Sequence, residues 1–210
     1  MDNPQLLRLI RCFPKATQVT DRFHVQKLAL EALQEIRIKH QWEAMDFENQ
    51  LILQAKRENQ TYIPELLANG DSVKQLLARS RYVLYKSREK WTENQNERAQ
   101  FLFGLYPDIK TAYYLSQQLR GIYNSNNDKH IAMTKLAHWY RNVEESGFKN
   151  FNILLNTITF NYRSILNYFD NRSTNAAAES FNAKIKAFRS QFRGVRKIDF
   201  FLFRLSNLFA

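Results

Sequence analysis

Apolar side chains recur at intervals of three and four residues along most of the chain, in stretches separated by glycine, proline or short polar runs. This period is that of an α-helix with one buried face. Two of the helix starts carry specific signals, since Thr92 and Gln95 match a capping box and Pro107 suits a first helical turn. The pattern predicts a mainly α-helical chain, with helices over residues 4–11, 25–56, 72–79, 92–105, 107–123, 130–145, 149–168, 175–191 and 198–208.

One segment departs from the helical pattern. Residues 16–20, with the sequence Ala-Thr-Gln-Val-Thr, are rich in β-branched side chains and end at Asp21, which predicts one short strand. A single strand cannot form a sheet. The prediction therefore requires partner strands that the rest of this sequence does not visibly supply.

Composition and charge narrow the class of protein. Of the 210 residues, 44% are hydrophobic, and only five are glycine and four proline, which favours a folded chain of long regular elements. Lys and Arg outnumber Asp and Glu by 31 to 20. The net charge of +11 favours a polyanionic partner such as nucleic acid, although a basic protein without such a partner is the alternative.

Several classes of site and location are not expected. One cysteine cannot form an intrachain disulfide, and the four histidines have no cysteine at zinc-ligand spacing. The sequence shows neither a signal peptide nor a run of 18 apolar residues. We therefore expect a cytoplasmic protein that has no membrane partner.

The first candidate for chemistry is Asp21, at the junction between the predicted strand and the long helix that follows it. In sheets flanked by helices, ligands gather at this edge, where strands end. Aspartate at this position is also a good helix N-cap. The local pattern by itself favours capping over a functional role.

The second candidate is Glu179, on the predicted helix over 175–191. At about 100° per residue, Asn175, Glu179, Asn182 and Lys186 fall within an arc of roughly 60°, so that one carboxylate lies among amides and a lysine. The alternative is an ordinary solvated face, with the charged residues chosen for solubility.

The last 40 residues are strongly basic, with eight Lys and Arg against two acidic residues. Lys184, Arg189, Arg193 and Arg196 are further candidates for contacts with phosphates. Phenylalanines are interleaved with these cations. Such rings can stack on exposed bases, but their regular spacing favours packing in a core.

Both candidate regions resemble motifs of one family. The stretch TDRFHV, from Thr20 to Val25, resembles the second-aspartate motif of DDE transposases from one group of bacterial insertion sequences. The stretch NRSTNAAAESFNAKIKAFRSQFRGVR, from Asn171 to Arg196, resembles the motif that carries the glutamate of that group. The resemblance covers essentially the whole chain, and two motifs in the right order are more specific than either alone.

The resemblance implies an RNase H-like core, a mixed sheet flanked by helices, of which this chain would hold an incomplete fragment with its one short strand. Residues 1–30 would be a core fragment with the second-aspartate motif. Residues 31–168 would be a large all-helical insertion domain. Residues 169–210 would be core helices with the glutamate motif and the basic segment.

The resemblance also implies roles for the candidate residues. Asp21 and Glu179 would be the second and third carboxylate ligands of a two-metal site that holds Mg²⁺ or Mn²⁺. Arg22 and the polar residues of the glutamate helix, namely Asn175, Asn182 and Lys186, would position phosphates or orient the carboxylates. His24 would contact the scissile strand or pack against the sheet.

The implied reaction is hydrolysis of a phosphodiester at a transposon end, followed by attack of the freed 3′-hydroxyl on target DNA, in a homo-oligomer. The first aspartate of such enzymes lies well before the second, and only 20 residues precede Asp21. We therefore expect a chain that is inactive alone, either a truncated transposase or one half of a split enzyme whose first aspartate would lie on a separate N-terminal polypeptide. The alternative function is that of a non-catalytic, basic helical protein that binds DNA or regulates the transposase.

Overall fold

A computed structural model describes residues 14–125, 128–172, 176–191 and 197–209, with the description of residues 176–179, 181, 208 and 209 confined to the backbone. The chain divides into two compact units, Met1–Asn171 and Arg172–Ala210. Across the described ranges, no helix is long and apolar enough to cross a lipid bilayer.

The described part of the first unit consists of helices and the loops that join them. The longest helix, α1, packs against α2, α4 and α6, while α5 lies against α4 and α6. The α3 helix contacts α2 and α4. The elements are α1 (Arg22–Arg57), α2 (Val73–Tyr85), α3 (Glu93–Leu105), α4 (Pro107–Asn124), α5 (Lys129–Ser146) and α6 (Asn152–Asn171), with 3-10 turns at Arg88–Lys90 and Lys149–Phe151.

The core of this unit lies where α2, α4 and α6 meet the first half of α1. Val25, Ala29 and Leu33 follow one another at helical spacing along α1 and are almost wholly buried. On α5, Trp139 is 2% exposed, and its indole N–H donates to the Leu115 carbonyl of α4 at 2.7 Å. The core is therefore built on the apolar stripes that the sequence pattern predicts.

The predicted helix signals are confirmed. Thr92 Oγ1 accepts from the backbone N–H of Gln95, whose side chain accepts in return from the Thr92 N–H, and α3 starts directly after this capping box. Pro107 is the first residue of α4. Gly147 ends α5 with a φ of 68°, a left-handed conformation that glycine adopts without steric cost.

One predicted helix is longer in the structure, and another lies outside the described residues. The helix predicted over 72–79 continues to Tyr85, because Leu76, Leu77 and Val83 extend one buried face across the polar run between them. Ser80 lies inside that run and is satisfied, since its hydroxyl donates to the Leu76 carbonyl at 2.6 Å. The helix predicted over 4–11 lies outside the described residues.

The predicted strand at residues 16–20 is wrong, since the described part of the chain contains no strand. The segment forms hydrogen bonds with α6 instead. Its Gln18 carbonyl accepts from Asn167 Nδ2 at 3.0 Å, and the Thr20 N–H donates to the Ser164 carbonyl at 2.9 Å. The Asn167 side chain and the α6 backbone thus supply the hydrogen-bond partners that a neighbouring strand would otherwise provide for the Gln18 carbonyl and the Thr20 N–H.

The second unit contains α7 (Ala176–Gln191) and α8 (Ile198–Phe209), which pack against each other. The buried ring of Phe188 on α7 lies 5.6 Å from that of Phe201 on α8. These two phenylalanines are therefore core residues of the unit. The three-part division at residues 30 and 168 stays a prediction; its first boundary falls within α1.

Candidate catalytic and DNA-binding residues

Asp21 is the N-cap of α1. Its Oδ1 accepts from the Phe23 N–H at 3.1 Å, and its backbone carbonyl accepts from the His24 N–H at 3.2 Å. The residue is only 8% exposed. The capping role that the sequence favoured is thus observed. Capping does not exclude metal binding by Asp21, because a carboxylate has two oxygens and accepts several partners at once.

Long-range contacts lie on both sides of Asp21. The Thr20 and Ser164 hydroxyls lie 2.7 Å apart, in addition to the backbone bond between these residues. On the other side, the exposed Arg22 guanidinium donates to Asn124 Oδ1 at 3.1 Å. The backbone before Asp21 is therefore held by α6, and a side-chain bond joins the start of α1 to α4.

Tyr123 lies fully buried near this position. Burial raises the pKa of its phenol, and the charges of Tyr168 and Asp21 raise it further. The Tyr123 hydroxyl makes no hydrogen bond with the part of the chain that the structure describes. Asp21 therefore borders a weakly polar environment, in which electrostatic interactions are stronger than in water.

Two other predicted residues of the first motif lie beside Asp21. Arg22 and His24 are both exposed at the start of α1. The imidazole of His24 is in edge contact with the Phe23 ring, with centroids 6.0 Å apart. The predicted packing of His24 against a sheet is not observed, since the described residues hold no sheet.

The second group of predicted residues lies on α7. Glu179 belongs to its first turn, and Asn182 and Lys186 follow three and seven residues later on the same continuous helix. Asn182, Lys184, Lys186 and Arg189 are exposed. Three further predicted residues lie outside the described residues, namely Asn175, Arg193 and Arg196. The side chain of Glu179 is not described either.

The structure thus brings the predicted residues together in two groups, one in each unit. Asp21, Arg22 and His24 form the first, at the start of α1, and the exposed residues of α7 form the second. In the described side chains, no cluster of three or more His, Cys, Asp or Glu is placed to hold a metal ion. Convergence of Asp21 and Glu179 on one ion stays a prediction.

Sequence reasoning missed the residues that support the first motif. These residues are Ser164, Asn167 and Asn124, which form hydrogen bonds with residues 18–22, and the buried Tyr123, which interacts electrostatically with Asp21. The Thr20–Ser164 contact joins residues 144 positions apart. No local sequence pattern predicts such a partner, because a single serine or asparagine in a helix does not form part of a recognisable periodic pattern.

A model of a transposase family matches residues 3–205, which is nearly the entire chain and includes both motifs. The chain belongs to the ISL3 family of DDE transposases. No curated protein and no solved structure matches it. Family membership establishes DNA transposition as the general function, and it implies that DNA is bound. The expected family resemblance is confirmed, whereas the alternative of a non-catalytic, basic helical DNA-binding or regulatory protein is not favoured.

Proposed function

We propose that this transposase acts on phosphodiester bonds by metal-dependent chemistry, with Asp21 and Glu179 as carboxylate ligands of Mg²⁺ or Mn²⁺. The observation that carries the proposal is the family match, because it spans both acidic residues and the motifs around them. These cations prefer hard oxygen ligands. Two such ions about 3.5–4 Å apart would stabilise the attacking and the leaving oxygen of a displacement at phosphorus.

The surroundings of Asp21 suit a metal ligand. Asp21 is largely buried, and the backbone directly before it is held by hydrogen bonds between Thr20 and Ser164 of α6. A ligand placed on a fixed backbone needs little reorganisation when the ion binds. The N-cap bond to Phe23 would orient the carboxylate further.

The exposed cations of α7 suit contact with DNA. Lys186 and Arg189 are three residues apart and lie on the same side of the helix, whereas Lys184 lies on the other side. Cations neutralise phosphates and release condensed counterions, which makes binding strong and salt-dependent. In this proposal, α7 holds the phosphate backbone while Asp21 and Glu179 hold the ions.

Paramagnetic broadening by Mn²⁺ tests whether the two acidic residues share an ion. Amide NMR signals of the full chain would be followed during titration with Mn²⁺ in the presence of a short DNA duplex. We expect signals near Asp21 and signals near Glu179 to broaden together, at the same Mn²⁺ concentration. The Asp21→Asn variant should abolish both effects.

The variants separate a metal ligand from a structural residue. Asparagine caps a helix as well as aspartate does, so Asp21→Asn should leave the fold intact. Asp46→Asn, at an exposed position of α1, is the matched control and should leave the broadening unchanged. If Mn²⁺ broadens only one of the two regions, or if Asp21→Asn has no effect, the shared metal site is disproved; if it broadens neither, a DNA-binding role without metal chemistry is supported.

A further inference from the structure

We infer that a cavity in the first unit, between α3, α4 and the turn before α3, binds one unpaired base of DNA. Four aromatic rings line it, those of Trp91, Phe103, Tyr113 and Tyr114. The rings of Trp91 and Phe103 lie 5.4 and 5.3 Å from that of Tyr113. The inference rests on DNA being the partner of this transposase, and it does not depend on the metal site.

Hydrogen bonds hold two of the rings in place, and all of the rings except that of Tyr113, which is 1% exposed, keep part of their surface open. Trp91 Nε1 donates to the Val83 carbonyl at 2.9 Å, and the Tyr113 hydroxyl donates to the Lys86 carbonyl at 3.0 Å. Trp91 and Phe103 are half-buried, and Tyr114 is 43% exposed. Pre-formed aromatic faces of this kind stack on bases of any sequence at low entropic cost.

The polar lining of the cavity suits a nucleotide rather than an apolar ligand. Arg88 and Lys110 border the rings, and neither forms an ion pair with any residue in the described ranges. Such cations attract the phosphates on either side of a bound base. The side-chain amides of Asn96 and Gln100 also line the cavity, and amides can donate to and accept from base edges.

The size of the cavity restricts the occupant. Its volume is about 290 Å³, just below the range of roughly 300–1,000 Å³ for ligand sites. A cavity of this size suits a single base, whereas paired bases stacked in a duplex cannot present a face to the rings. The expected ligand is therefore a nucleotide that has left the stack, in single-stranded DNA or at an unpaired position of a duplex.

Gly104 provides a way to fill the cavity without disturbing its walls. It lines the cavity from α3, and a Cβ added there meets no atom within 4 Å. Gly121 on α4 is a matched control, because it is also helical and also has open space at its Cβ, but it lies outside this cavity. Leucine at either position should be compatible with the helix.

The experiment compares two short duplexes that differ only in one unpaired 2-aminopurine nucleotide. Full-length chain should bind the duplex with the unpaired nucleotide about tenfold more tightly than the paired one, because a stacked base adds affinity of this order. The fluorescence of 2-aminopurine should fall on binding as the base stacks on the rings. Gly104→Leu should remove the preference and the fluorescence change, whereas Gly121→Leu should keep both.

The variants and the two duplexes separate the base site from DNA binding by α7. Equal affinity for the two duplexes, or a preference that Gly104→Leu leaves intact, overturns the base site while leaving DNA binding by α7 unaffected. Loss of affinity for the paired duplex in Lys184→Gln, with the preference for the unpaired nucleotide retained, supports two separate DNA contacts. A chain that binds neither duplex overturns both this inference and the proposed function.

Discussion

Replacing Asp71 by alanine should lower the free energy of unfolding of the first unit by about 2–3 kcal/mol. Asp71 lies in the loop between α1 and α2, and it is 1% exposed. Its carboxylate forms ion pairs with Arg79 of α2 and with Arg98 Nε of α3, the latter at 2.8 Å. Asn69 Nδ2 donates to it at 3.3 Å. One buried carboxylate thus joins a loop to two helices.

The magnitude follows from the exposure of the partners. Removing one partner of a fully buried ion pair costs about 3–5 kcal/mol, because the other charge is left without compensation. Here the Arg79 side chain is 54% exposed and that of Arg98 is 22% exposed, so water can solvate both cations after the change. The cost should therefore lie below the fully buried range but above the 0–1 kcal/mol that is usual for a surface pair.

The contribution of Asp71 should also depend on pH in a definite direction. Burial opposes ionisation of the carboxyl, but hydrogen bonds and charges from Arg98 and Arg79 outweigh burial and hold its pKa below the ordinary value. A carboxyl whose pKa is lower in the folded state stabilises the fold above its unfolded pKa of about 3.9. This stabilisation is lost as the pH falls through the folded pKa, so Asp71→Ala and the wild type should converge in acid.

Urea denaturation followed by far-ultraviolet circular dichroism at neutral pH, and repeated between pH 3 and 5, measures both effects. Asp46→Ala is the matched control, since Asp46 is exposed on α1 and should change stability by less than about 0.5 kcal/mol. A cost for Asp71→Ala no larger than that of the control would refute the reasoning, as would a difference from wild type that grows in acid.

Three further predictions concern the cap, the core and the DNA contacts. Asp21→Ala should lower the free energy of unfolding by about 1 kcal/mol through loss of the N-cap, and Asp21→Asn should restore it; equal losses in urea denaturation would contradict a capping role. Trp139→Phe should cost about 2–3 kcal/mol, since it leaves the buried Leu115 carbonyl without its donor and opens a small cavity; a change below 0.5 kcal/mol in the same assay would contradict this. The double variant Lys184→Gln, Lys186→Gln should lower the slope of log affinity against log salt by about 2, as measured by fluorescence anisotropy with duplex DNA; an unchanged slope would show that these lysines contact no phosphate.

The sequence alone determined most helices and the chemistry of their ends. The bounds of α3 and α4 follow from Thr92, Gln95 and Pro107, and Gly147 stops α5 where the pattern breaks. These signals act between residues no more than four apart, so the chain carries them wherever it folds. Asp21 could be recognised both as a helix cap and as a motif residue for the same reason, because both depend only on its neighbours in the sequence.

Tertiary structure decided what lies against each element. Residues 16–20 have the composition of a strand, but their observed partners are Ser164 and Asn167, the latter 149 positions from the carbonyl it binds. The ion pairs of Asp71 and the cavity beside Gly104 likewise exist only because α2, α3 and α4 pack together. Periodicity fixes which face of a helix is buried, but not which helix covers it, because that choice depends on the competing contacts of the whole chain.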